Sequence, residues 1–464
     1  MTTITHQEFE VKEVVYDPEE QPCPDCGGPG RRRMRVTGGR QLQELHLDHP
    51  LFLVVTLGVY ACPNLACPRK AFRARVPFAS KGAHYTDRAK AKSVAAVIRD
   101  QMPLTKVPER MEDDFHFRPG KTTIRGWVQQ AGEALDWAHA YEPWVKRTFS
   151  GVLCLDEGSD AEFVVLVATD PLNGTTVGVA VEERPPEQTK TTATGEQMDR
   201  FLAYLKHLGI DVRVTIRDGS PLYPERVAQA FPATEQELCT FHLKQDVVKE
   251  LLAAVRAYRK SLPDPPKRPK GRPRAEAPPP PPDPQKEIWK ARGLFVMNPQ
   301  TLKEREEQAQ AAGRPSPTAL LARLEQEHPP LQTIHSFADE VYALFTQPTP
   351  EDAVERAAAL RANPAFQGNP HLHKALGHLS EEAVRHATLF LRDENLPATN
   401  NDAERAGRRF RKRQKAHYRL RAKELLRAVL QQELLAQKIR WERSGRPVQR
   451  LQPKEGRQPA QSKA

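Results

Sequence analysis

The sequence predicts a multidomain α/β protein, and three observations carry that prediction. Two short cysteine pairs, Cys23-x2-Cys26 and Cys62-x4-Cys67, bracket strand-like runs near the start of the chain. Between Gly151 and Leu262, apolar runs typical of strands alternate with helical patterns. From Glu287 to Glu394 the pattern is helical, and this stretch separates the alternating region from a strongly basic helix around Glu404. A chain of 464 residues exceeds one core of ordinary size, so about two to four domains are expected.

The first domain, residues 15–82, reads as zinc ribbon-like. Four thiolates in two knuckles suit one tetrahedral, structural Zn2+, held by Cys23, Cys26, Cys62 and Cys67, and Gly27-Gly28 lets the first knuckle turn around the ion. Six cysteines in so long a chain make no disulfide framework, and unligated thiols in exposed turns would be a poor alternative.

Residues 83–143 read as a helix-turn-helix DNA-binding domain. Thr122 or Thr123 should start its second helix, and Ile124, Trp127 and Val128 should anchor it. Lys121, Thr122, Thr123, Arg125 and Gln129 are then candidate contacts to DNA, a helical hairpin without DNA being the plain alternative.

Residues 148–260 carry strand patterns at Val152 to Leu155, Phe163 to Thr169 and Thr175 to Val181, separated by the polar turns Gly158-Ser159-Asp160 and Asn173-Gly174. An amphipathic helix from Thr194 to Leu208 and a fourth strand from Val212 to Ile216 follow. Three strands, a helix and a strand is the opening order of a ribonuclease-H-like catalytic domain. In that fold the first and fourth strands lie side by side, which would bring Asp156 and Asp218 together at strand ends; this adjacency rests on fold analogy.

Residues 261–286 form a proline-rich basic linker, since repeated prolines remove backbone donors and favour solvated, extended chain. Within it, Lys270-Gly271-Arg272-Pro273 has the form of an AT-hook, whose Lys270 and Arg272 would enter a narrow minor groove; simple solvation is the more frequent use of such a linker. Residues 287–394 read as an α-helical insertion in which Trp289 belongs to the core. Residues 395–444 supply the final helices of the catalytic domain, and residues 445–464 have the composition of a disordered tail.

The chemistry resides in three acids. Asp156 and Asp218 follow apolar β-rich runs, and Glu404 stands near the head of a helix otherwise crowded by Arg408, Arg409, Arg411, Lys412 and Arg413. Converging carboxylates are what two hard divalent ions, Mg2+ or Mn2+ about 4 Å apart, require for phosphodiester chemistry. Asn400 or Asn401 can cap this helix, which puts Glu404, Arg408 and Arg411 on one face, the two arginines as phosphate contacts. Taken singly, each acid could simply end a strand or favour a helix dipole. Cys239 and His242 are too few soft ligands for zinc, and Cys154 reads as a small buried strand residue.

The net charge of +11 points to an anionic partner, and its clustering in Arg31 to Arg35, Lys267 to Arg274 and Arg405 to Lys423 favours nucleic acid. No apolar run approaches the roughly 20 residues needed to span a membrane. The polar, acidic start of the chain lacks the features of a signal peptide, so a cytoplasmic location is expected.

In this order the motifs resemble those of bacterial insertion-sequence transposases of the DDE class that carry an N-terminal zinc-binding domain and a helix-turn-helix. The residues carrying the resemblance are the two cysteine pairs, Thr123-Ile124-Arg125-Gly126-Trp127, Leu153-Cys154-Leu155-Asp156-Glu157, Asp218 and Cys239-Thr240-Phe241-His242. Trp289 to Phe295 and Thr399-Asn400-Asn401-Asp402-Ala403-Glu404-Arg405 complete the set. The resemblance implies a catalytic triad of Asp156, Asp218 and Glu404, a structural Cys239/His242 pair beside it, and an insertion that helps hold transposon ends. It also implies binding of double-stranded DNA, as transposon ends and as target, by at least a homodimer. The chain departs from the pattern in its long segment Pro263 to Pro284 and in Gly219-Ser220-Pro221 after Asp218; Glu157 and Asp160 are the nearest substitutes for the first acid. Two rival functions are a nuclease of ribonuclease-H-like fold and a catalytically inactive, zinc-containing DNA-binding regulator.

Overall fold

The computed structural model describes residues 9–160, 162–184, 193–264, 283–417 and 420–451. It is a mixed α/β structure with two five-stranded sheets and a large helical region.

The first sheet contains β1 (Glu10–Tyr16), β2 (Gln21–Pro22), β3 (Pro29–Glu44), β4 (Leu51–Ala61) and β5 (Ala71–Arg73). Along β4, residues 51, 53, 55 and 57 point into a small core with Leu42, Val76 and Ala79, the period-two burial of a half-covered strand. β1 pairs with β4 in parallel and β3 pairs with it antiparallel. Two of the arginines in the basic run are partnered: Arg32 and Arg35 reach Asp17 at 2.9 and 2.6 Å.

Helices α1 (Asp87–Ile98), α2 (Val107–Phe115) and α3 (Lys121–Glu133) follow. α3 starts at Lys121, a residue or two before the expected threonines, because Gly120 in extended backbone serves as N-cap and its carbonyl accepts the Ile124 amide. Ile124 and Val128 are buried as expected. Two short helices, α4 (Trp137–Ala140) and α5 (Glu142–Thr148), lead into the second sheet.

That sheet has the order β10-β9-β6-β7-β8 and is built from β6 (Val152–Asp160), β7 (Phe163–Asp170), β8 (Thr175–Glu183), β9 (Val214–Arg217) and β10 (Glu235–Leu238). β6 and β9, the expected first and fourth strands, pair in parallel from Val152↔Val214 to Cys154↔Ile216. β6 outruns its prediction: the antiparallel ladder with β7 continues to Asp160↔Phe163, so Asp156 lies inside the strand and Gly158-Ser159-Asp160 is not a turn. β10 is a further strand, parallel to β9, in a segment with too few residues for a period to be read.

α6 (Gly195–His207), closed by a Thr194/Gln197 capping box, and α7 (Pro224–Ala230) cover the face bearing Leu153, Leu155, Val164 and Leu166. α8 (Thr240–Ser261) leads into a helical region of α9 (Pro284–Ala291), α10 (Pro299–Ala311), α11 (Pro317–Glu327), α12 (Pro329–Leu344), α13 (Pro350–Ala362), α14 (Pro364–Gln367), α15 (Pro370–Gly377) and α16 (Glu381–Ala387). These share one core centred on Phe295, Phe337 and Leu344, into which α8 also packs.

α17 (Asn401–Ala416) and α18 (Lys423–Arg443) return to the opposite face of the second sheet. Phe410, Leu426 and Val429 meet Phe163, Val165 and Val167 there, and the same core takes in Ile124 and Val128 of α3. Gly132 of α3 lies directly against Ala428 of α18, leaving no room for a side-chain carbon, so α3 is packed onto the final helices. Part of the expected free tail is held in place: Leu451 donates its amide to Ser150 and accepts from Arg213, and the Gln449 amide reaches Asn173, while residues 452–464 lie outside the described residues.

Candidate active site

Strand parity places the first two acids. Val152 and Cys154 share a core with Val214, Ile216 and Ala403, so Asp156 falls on the same face of β6, the face that α17 covers. Asp218, two residues past Ile216, continues that face beyond the end of β9, and its Oδ1 accepts the Ser220 amide at 2.8 Å. The β6–β9 ladder stops at Cys154, so the strands are no longer paired where the two acids stand.

The start of α17 is held to β6 by Asn400. The expected cap is not made: the Asn400 side chain makes no capping bond and instead donates Nδ2 to the Leu155 carbonyl, the residue before Asp156. The Asn400 backbone amide reaches the Cys239 sulfur at 3.3 Å, and Thr240 Oγ1 donates to the Ala398 carbonyl at 2.8 Å. The chain therefore returns after the helical region to the β10–α8 corner through contacts at Cys239 and Thr240, although Cys239 and Asn400 are 161 positions apart in sequence.

These contacts gather Asp156, Asp218 and Glu404. Burial, followed by the nearby charges of Asp218 and Glu404, pushes Asp156 up to about 6, with Arg411 pulling the other way. Glu404 Oε1 is buried without a hydrogen-bond partner among the described residues, with His242 Nε2 3.8 Å away. Asp156 thus feels the charge of both other acids and Glu404 keeps an unpartnered buried oxygen, an arrangement a cation would relieve, although the three acids do not bring their oxygens within 4.8 Å of one another.

Arg408 and Arg411 are exposed together with Arg409 and Lys412, whereas Arg413 is buried and bonded to Glu433 at 3.0 Å, so it leaves the cationic set. Gly407 was not singled out by the sequence reading. A side-chain carbon there would stand 3.2 Å from Asp156 Oδ2, and the readable signal was a glycine inside an otherwise sound helix.

Two further groups border the acids. Glu157 is on the opposite face of β6, its Oε2 accepts the Ala193 amide at 3.1 Å, and burial raises it to about 7. Tyr223 is fully buried near Asp156, Glu157 and Asp218, with its hydroxyl unpartnered among the described residues. Cys239 and His242 form a close pair: the Cys239 side chain raises His242 to about 9, against burial, and the thiol is held below its usual range despite its own burial. No further cysteine or histidine joins them among the metal-holding groups of the described residues.

The four paired cysteines come together. Cys23 and Cys67 sulfurs are 3.8 Å apart, Cys26 and Cys62 3.5 Å, and all four lie within 4.8 Å without a disulfide. Tetrahedral Zn2+ with Zn–S bonds of about 2.3 Å spaces its sulfurs by roughly 3.8 Å, so the donor set fits. Burial raises the Cys23 thiol, but the backbone amides of Asp25 and Cys26 outweigh it and hold that thiol at about 7.

Among the expected DNA contacts, Lys121, Thr122, Thr123 and Arg125 are exposed on α3. Lys270 and Arg272 lie outside the described residues. Trp289, read as core, is 38% exposed, with the Arg292 guanidinium 4.0 Å and that of Arg259 4.9 Å from its ring centre. Among the described residues no helix is long and apolar enough to cross a membrane.

No curated protein matches the chain by sequence. A family profile does: the ISL3-type DDE transposases, described as transposase, match residues 174–433. That stretch contains Asp218, Cys239, His242 and Glu404, and begins after Asp156 and the paired cysteines. Since the match spans more than half of the 464 residues and includes the helix that carries Glu404, the chain belongs to the DDE transposase family of ISL3 type.

Proposed function

We propose that this transposase binds the terminal inverted repeats of its own insertion sequence and catalyses metal-dependent cleavage and strand transfer at a ribonuclease-H-like site. The observation that carries the reading is that Asp156, on the face of β6 covered by α17, feels the charges of Asp218, Glu404 and Arg411 together. Asp156 would serve both of two Mg2+ or Mn2+ ions, while Asp218 and Glu404 would each complete the ligands of one. Such ions supply charge neutralisation at the scissile phosphate and a more acidic attacking hydroxyl.

The chain's own groups do the rest. Arg408 and Arg411, one and two turns beyond Glu404, grip the phosphates flanking the cut. Asn400 keeps Glu404 in register with Asp156 through the Leu155 carbonyl. Lys121, Thr122, Thr123 and Arg125 contact the transposon end, and Lys270 and Arg272 add minor-groove contacts. In this reading residues 15–82 form the domain held by one structural Zn2+, 83–143 the DNA-binding helices, and 148–260 with 395–444 the catalytic domain, joined through the linker 261–286 and the insertion 287–394. Joining two ends to a target requires at least a dimer on DNA.

The test uses full-length protein, DNA carrying the flanks of its own gene, and Mg2+. Asp156→Ala and Glu404→Ala are expected to abolish cleavage while end binding persists. Full cleavage by Glu404→Ala would overturn the triad. Binding without cleavage by the unaltered protein would favour the inactive-regulator alternative, and cutting without joining a nuclease.

A further inference from the structure

The first sheet contains a second cluster of metal-ligating side chains, far along the fold from the four cysteines. His46 and His49 lie in the turn between β3 and β4, and Glu10 opens β1, which pairs with β4 beginning at Glu10↔Leu51. His49 Nε2 is 2.8 Å from Glu10 Oε2, and the two imidazole rings sit 4.0 Å apart at 33°. One ligand atom from each of the three residues lies within 4.8 Å of the others.

We infer that Glu10, His46 and His49 form a second metal site, for a divalent ion of the zinc class, that clamps the edge strand β1 to the β3–β4 turn. Two imidazoles and a carboxylate are a donor set suited to Zn2+ or Co2+ and a poor one for Mg2+, which prefers an all-oxygen shell. Ligand atoms around tetrahedral zinc stand roughly 3.4 Å apart, from metal–ligand distances of about 2.0 to 2.1 Å. The 2.8 Å pair therefore opens slightly and the third ligand closes in, a small side-chain movement. His46 Nδ1 accepts the Asp48 amide at 3.2 Å, so ligation either displaces that bond at Nδ1 or selects the other tautomer for Nε2. Three protein ligands leave the fourth position to water.

The turn's own anchorage gives the site a purpose. The His46 amide donates to the Phe115 carbonyl, His116 Nε2 is 3.1 Å from the Leu47 carbonyl, and the Glu10 amide donates to the Pro50 carbonyl. An ion here ties β1 to the turn, and the turn is itself hydrogen-bonded to the end of α2, so the ion would steady the join between the N-terminal sheet and the helices before α3. His46, His49 and Glu10 are partly or fully exposed, which gives the ion an entry path.

The experiment measures zinc per chain by mass spectrometry in the full-length protein, after zinc loading and removal of free metal, for the unaltered protein, Glu10→Gln and His46→Ala/His49→Ala. The expected result is one zinc fewer in the double variant and weakened retention in Glu10→Gln. Cobalt substitution read in parallel should leave the thiolate-to-cobalt absorption of the cysteine site unchanged, so failure at one site is distinguished from failure at the other. Glu10 is half exposed at the start of a strand, so its change to Gln keeps the fold should the double variant unfold. Equal zinc content in the unaltered protein and both folded variants would overturn the proposal.

Discussion

Gly407 offers the sharpest test of how the site is assembled. Replacing it by alanine puts a methyl group 3.2 Å from Asp156 Oδ2, where ordinary contact starts at 3.4 Å, so the carboxylate must shift by a few tenths of an ångström. The helix itself gains: alanine in place of glycine in a helix interior is worth about 1 kcal/mol. Stability should therefore stay level or rise by up to about 1 kcal/mol, while activity falls, because misplacing a catalytic group by about 1 Å can cost about a hundredfold. A few tenths of that displacement corresponds to a loss of roughly threefold to tenfold. Gly407→Val, whose methyls extend toward the carboxylate, should lose about a hundredfold or more. The assay is end cleavage in Mg2+ beside the thermal midpoint of each variant. A folded Gly407→Val protein that cleaves at the unaltered rate would refute the argument that Asp156 is held by the close approach of α17.

Asn400→Ala should cost about 1 to 3 kcal/mol, because it leaves the buried Leu155 carbonyl without its donor, and should lower cleavage without changing zinc content; thermal melts and metal analysis check both. A pH effect follows from Asp156, raised to about 6 from 3.8. A raised acid means that the folded state binds the proton more tightly, so this contribution to stability is complete below about pH 4 and is lost as pH rises through about 6. Without metal, Asp156→Asn should match the unaltered protein near about pH 4 and exceed it by at most roughly 3 kcal/mol at about pH 8. Mg2+ should narrow that gap; thermal midpoints across pH, with and without Mg2+, measure it.

The correspondence between sequence and structure differs from element to element for physical reasons. The strands 163–170 and 175–183 and the helix 195–207 were readable because their apolar periods are long and their caps explicit. β6 extends beyond its expected end because Gly158, Ser159 and Asp160 look like a turn in sequence, while the neighbouring strand β7 supplies a ladder for them. Only four residues long, β10 lacks enough residues for a period. Among the basic residues of α17, spacing alone does not separate Arg413, buried on Glu433, from the exposed Arg408 and Arg411. Trp289 went the other way: an indole in an amphipathic helix reads as core, yet two arginines stack at its exposed ring.

By itself the sequence determined the kinds of chemistry available: four thiols in two knuckles, carboxylates after apolar runs, and a basic helix carrying a lone set of acids near its start. These follow from residue type and short spacing, which are local properties of the chain. Only the tertiary structure decided which acids come near enough to influence Asp156, because the 185 positions between Asp218 and Glu404 leave their separation undetermined until the helix is docked. That docking rests on Asn400 bonded to the strand carrying Asp156, on the sulfur of Cys239, and on a glycine that lets α17 come close to the carboxylate.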